Sequence, residues 1–167
     1  GEQIFYSTNF SSEQLTEDDT VLMFNYGLVC SNHHWSKQLS FFDEKGYKIL
    51  IHDYRAHYQS TGKNQLESVT FKNIAHDMKQ LCNFLGIEKT IQIGHSMGVN
   101  VVLEFARRWP ELISKVILIS GTAIPVYNIM FDTSLTQQVT PAIMKGLTKF
   151  PKVFRTAWKY GGWNPVI

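Results

Sequence analysis

Short apolar runs alternate with amphipathic stripes along this chain. Val21-Leu22-Met23-Phe24, Ile49-Leu50-Ile51, Thr90-Ile91-Gln92-Ile93 and Val116-Ile117-Leu118-Ile119 are strand-sized and mostly apolar, which predicts buried strands. Ile4-Phe5-Tyr6 predicts an early antiparallel strand. Between these runs, Trp35, Leu39 and Phe42 fall on one face of a helix, and Gly46 stands where a C-terminal cap belongs. Phe71, Ile74, Met78, Leu81, Cys82 and Leu85 trace a longer helix that Gly86 stops. A third helix over residues 99–108 ends at Trp109-Pro110, because proline disfavours helical geometry in the residue before it. Such alternation demands right-handed crossovers. It gives an α/β fold: a mostly parallel sheet with helices on both faces.

After Gly121 the pattern changes. Thr140-Pro141 has the form of an N-cap with proline at the first helical position. Ile143, Met144, Leu147 and Phe150 form a stripe, Pro151 breaks it, and Val153, Phe154, Ala157 and Trp158 resume helical spacing. The expected division is a core over residues 1–123 and a helical excursion over 124–167.

Composition narrows the functional classes. Hydrophobic residues make up 44% and charged residues 18%, as in a globular domain. A net charge of +2 without any Lys/Arg run gives no nucleic-acid footprint. Cys30 and Cys82 are too few and too far apart for a disulfide framework. With no basic-then-apolar leader after Gly1, the expected location is cytoplasmic. No metal or cofactor is expected. His33-His34 lacks an accompanying Cys/Asp/Glu cluster and reads as structural, with Trp35 as a core anchor.

The chemistry concentrates in Gly94-His95-Ser96-Met97-Gly98. A serine hydroxyl becomes a nucleophile when a base takes its proton and the chain presents its oxygen. A cramped strand-to-helix turn does the presenting, and glycines two residues to either side remove side chains that would collide. The strand before and the helix after supply the required context. Ser96 is therefore the expected nucleophile, with Gly94, His95 and Gly98 shaping the elbow. His95 and Ser96 diverge on so tight a turn, so His95 is expected to pack rather than act as base.

In these residues the chain resembles the α/β-hydrolase superfamily, esterase- and lipase-like members above all. The resemblance runs from Ile4 to Gly121, and Asn25-Tyr26-Gly27-Leu28 lies where the family carries its oxyanion loop. It implies oxyanion donors at the backbone N–H groups of Leu28 and Met97. Asp53-Tyr54-Arg55-Ala56-His57 resembles the family's Asp-x-Arg-Gly-His turn, expected to hold a loop rather than react. Departures are visible: Asn25-Tyr26 replaces the usual histidine, Ala56 and Tyr58 replace glycines, and Val99 stands where many members have a further glycine.

The resemblance also implies a catalytic acid and histidine after the serine, yet none of the six histidines follows Ser96. The chain is thus expected to be part of a longer enzyme, inactive alone. The fold's C-terminal strands, with the acid and base, would come from the remaining portion, and residues 124–167 would begin a helical cap. Asp132 falls in that segment and is not taken as the acid. The cap's apolar stripe is read as lining an acyl pocket; membrane contact is its rival reading. The expected reaction is cleavage of a small-molecule carboxylic ester through an acyl-enzyme. Alternatives are a thioesterase, carbon–carbon hydrolase or haloperoxidase on the same fold, or a catalytically silent ligand-binding protein.

Overall fold

The computed structural model describes residues 2–62 and 66–123, within a compact unit Gly1–Ala123. The expected cap, with Asp132 and the 143–158 stripe, lies outside the described residues. Among the described residues five strands form one sheet: β1 (Tyr6–Thr8), β2 (Val21–Asn25), β3 (Ile49–His52), β4 (Thr90–His95) and β5 (Ile113–Ile119), in the spatial order β1-β3-β2-β4-β5. Only β1 is antiparallel, pairing Tyr6 with His52 and Thr8 with Leu50. It begins two residues later than its apolar run suggested.

Three helices cross between the parallel strands: α1 (Ser36–Glu44), α2 (Phe71–Leu85) and α3 (Met97–Arg108). Right-handed crossovers put α1 on one face and pack α2 beside α3 on the other. Each stop is local. Gly46 and Gly86 take φ +76° and +71°, a left-handed turn that releases the chain from a helix without a Cβ clash. The Thr70 side chain caps α2 by accepting from the Asn73 N–H at 3.1 Å. Above the sheet, Ile74, Met78, Cys82 and Leu85 of α2 and Val101, Val102 and Phe105 of α3 are buried. Full burial of such side chains contributes about 1.5–3 kcal/mol each.

β5 departs from the expectation of a buried strand. Val116, Ile117, Leu118 and Ile119 remain 39–44% exposed, because among the described residues β5 is the sheet's edge and pairs only with β4. Polar residues also enter the core, and two of them pair: Asn25 of β2 donates to the Gln92 side chain of β4 at 3.0 Å, and both are fully buried. Among the described residues no helix is long and apolar enough to cross a membrane.

Candidate active site

β2 and β4 are neighbours, but the chain leaving β2 crosses to one side and that leaving β4 to the other. The carboxyl ends of such a pair open a crevice where the connections diverge. Tyr26-Gly27-Leu28 follows one strand there and Ser96 follows the other.

Ser96 stands between β4 and α3 with φ 53° and ψ −118°. A residue with a Cβ rarely adopts such backbone, at a strain of about 1–3 kcal/mol. Both sides impose it. The Ser96 N–H donates to the Ile119 carbonyl at 2.9 Å, and its own carbonyl accepts from the Val99 N–H at 3.0 Å. The flanking glycines are sterically required. A Cβ on Gly94 would stand 2.6 Å from the Gly98 carbonyl oxygen, and one on Gly98 would collide with the Asn25 carbonyl. Val99 fits beside the elbow because the position it leans on is Gly121, which has no side chain to meet it.

Gly27 closes against the elbow from β2's side: a Cβ there would stand 2.9 Å from the Ser96 Cβ. Residues 27–30 form a turn in which the Cys30 N–H donates to the Gly27 carbonyl at 3.1 Å. Leu28 is its second residue, and no acceptor among the described residues is paired with its N–H. Met97 opens α3, so its N–H has no partner within the helix and lies at the positive end of the helix dipole. Among the described residues, then, neither the Leu28 N–H, which follows Gly27 in sequence, nor the Met97 N–H, which follows Ser96, is paired with an acceptor.

His95 packs against the segment that follows β2, with its Nδ1 beside Gly27. Its ring stacks on His34 at 4.7 Å between centroids and 24° between planes, and meets Trp35 edge-on at 6.2 Å. His34 and Trp35 belong to a 3-10 turn, Asn32–Trp35, that continues the loop after Leu28. Burial, and then the neighbouring His34 charge, lower the His95 pKa below the ordinary imidazole value. Three other histidines lie elsewhere in the fold. His52 is sealed in the core, His57 Nδ1 lies 2.9 Å from the Arg55 carbonyl, and His76 lies beside Trp109.

The loop after β3 braces the site. Asp53, 4% exposed, accepts from the Asn32 side chain at 3.0 Å and the Gln59 N–H at 3.2 Å. Arg55 grips Asp77 of α2 through two hydrogen bonds of 2.8 and 2.6 Å. Cys30 is half-buried on the turn, and that partial burial pushes its thiol pKa up. Among the described residues no group of three His, Cys, Asp or Glu side chains is placed to hold a metal ion.

Sequence reading missed two features. Tyr54 and Tyr58 hydrogen-bond the Tyr26 and Cys30 carbonyls, on either side of the turn at residues 27–30, and Asn25 is tied to Gln92 on the neighbouring strand. The second had a visible signal: two amides inside apolar runs, on strands that prove adjacent.

The sequence pattern of the alpha/beta hydrolase fold matches residues 20–156. The chain belongs to that family. Within it, the chain is 34% identical over 103 residues to human Protein ABHD8, covering 62% of this chain and 24% of that protein. It is 30% identical over 105 residues to the bifunctional esterase/perhydrolase DCH of Acinetobacter calcoaceticus, covering 62% and 37%. The chain therefore spans well under half the length of these curated relatives. Among solved structures, an alpha/beta hydrolase enzyme from a Medee basin deep-sea metagenome library superposes with a TM-score of 0.61 at 25% identity, covering 70% of this chain and 40% of that one.

Proposed function

We propose that this chain carries the nucleophile-bearing part of a serine hydrolase that cleaves carboxylic esters. The observation that carries the reading is Ser96, held at φ 53° between a buried strand and a helix N-terminus. In the proposed reaction the Ser96 oxygen attacks the ester carbonyl carbon and a base takes its proton. The oxyanion accepts from the Leu28 and Met97 N–H groups, and losing one such donor costs about 3–4 kcal/mol. The carbon–oxygen bond to the alcohol then breaks, the alcohol leaves with the proton, and water splits the acyl-enzyme. A histidine base and its carboxylate come from a C-terminal portion of the same enzyme, whose strands would extend the sheet at β5. The exposed apolar β5 edge suits that role. The free thiols Cys30 and Cys82 suit a reducing, cytoplasmic setting.

One relative's description as an esterase/perhydrolase favours a second reading on the same site. There hydrogen peroxide replaces water as the acyl acceptor, and the product is a peracid.

The test is turnover of short p-nitrophenyl esters and matching thioesters by the full-length protein, with and without hydrogen peroxide. Ester cleavage lost in Ser96→Ala supports the proposal, and peracid formed only with peroxide adds the second reading. Turnover of thioesters alone changes the substrate class. No turnover, with an apolar ligand bound in the crevice, replaces the enzyme with a binding protein.

A further inference from the structure

The turn at residues 27–30 is under strain. Its third residue, Val29, has φ +59°, a position that favours glycine or asparagine and is poorly tolerated by a β-branched side chain. Left alone, such a turn would relax and carry the Leu28 N–H with it. Two phenols from the loop after β3 prevent this. The Tyr54 hydroxyl donates to the Tyr26 carbonyl at 2.9 Å, just before the turn, and the Tyr58 hydroxyl donates to the Cys30 carbonyl at 2.8 Å, at its end.

The two phenols differ in character. Tyr54 is 1% exposed and donates a second hydrogen bond to the same residue, from its N–H to the Tyr26 hydroxyl at 3.0 Å. Tyr58 is 48% exposed and has φ +40°, where the family's turn has glycine. A bulky residue in left-handed backbone persists only when its surroundings over-determine it. Here those surroundings are the hydroxyl contact to Cys30 and an edge-on ring contact with Tyr26 at 6.1 Å.

We propose that Tyr54 and Tyr58 clamp the oxyanion turn at its two ends, and that Tyr58 is a positioning residue for chemistry at Ser96. It touches no reacting atom. It acts by fixing the direction of the Leu28 N–H. The inference rests on the hydrolase reading, so its test carries one readout that needs no activity.

Tyr58→Phe removes a single oxygen and keeps the ring. In the full-length protein we expect kcat on p-nitrophenyl acetate to fall about tenfold with KM within about twofold, as when an oxyanion donor is misaligned rather than lost. Hydrogen exchange of the Cys30 amide, which donates to the Gly27 carbonyl, should quicken about tenfold, while that of the α2 amides stays unchanged. Tyr58→Gly, which relieves the positive φ but also loses the hydroxyl, should show the same kcat loss without a fall in melting temperature. Unchanged exchange in Tyr58→Phe overturns the clamp whatever the enzyme does. Faster exchange with unchanged kcat overturns the positioning role. Faster exchange in a protein that is not labelled at Ser96 and cleaves no ester leaves the clamp standing and removes the hydrolase reading beneath it.

Discussion

Gly27 lies so close to Ser96 that a Cβ on it would stand 2.9 Å from the serine Cβ, and 3.2 Å from Nδ1 of His95. No side chain fits between the oxyanion loop and the elbow. Gly27→Ala must therefore push the loop outward by a few tenths of an ångström or more, moving Leu28 with it. The expected result is a fall in kcat of about 10–100-fold, since displacements approaching 1 Å cost about that much. Steady-state kinetics beside a thermal melt checks this: activity should drop far more than stability.

The elbow glycines should behave differently. A Cβ on Gly98 collides with the Asn25 carbonyl, which is backbone in mid-sheet and has nowhere to move. Gly98→Ala is expected to destabilise the fold by about 3 kcal/mol, the upper end for an overpacked interior. Urea denaturation of the variant against the parent measures it.

Ala56 sits at φ +62°, and its N–H donates to the Thr61 carbonyl at 2.7 Å. Ala56→Gly keeps that hydrogen bond and removes the left-handed strain of an L-residue. A gain of about 0.5–1 kcal/mol is expected, the strain relief being partly offset by the extra freedom of glycine in the unfolded chain. Denaturant unfolding midpoints of the two proteins give the sign.

His52 is wholly buried with neither ring nitrogen hydrogen-bonded, and burial lowers its pKa from 6.5 to about 4. The unfolded chain therefore binds a proton at higher pH than the folded one. The stability tied to this group is complete above about pH 6.5 and is lost progressively as pH falls from there to about 4. The loss amounts to about 3 kcal/mol by linkage. In His52→Leu the dependence of unfolding free energy on pH between 4 and 6.5 should flatten by about that amount; an unchanged slope would assign the acid sensitivity to other groups.

Much of this architecture was legible in the residues. The strand runs, the α2 stripe with Gly86 after it and the elbow at Ser96 each carry a local periodicity or a glycine that the backbone needs, and local signals survive in sequence. What escaped was long-range. Tyr58 was visible as a departure from glycine, but its hydrogen bond reaches across 28 residues to Cys30. Burial of β5 was misjudged for the same reason: its apolar run is intrinsic, while its exposure depends on which strands lie beside it. His34 stacking on His95 likewise joins a loop to an elbow that are far apart in the chain.

The central claim is that Ser96 is the nucleophile of the assembled enzyme. It is tested most directly by treating the full-length protein with a fluorophosphonate and locating the adduct by peptide mass spectrometry. The account predicts one adduct, on the peptide containing Ser96, absent in Ser96→Ala, whose fold should be nearly unchanged because only one oxygen is removed. An adduct on another residue, or none in a folded protein that still cleaves esters, would contradict it.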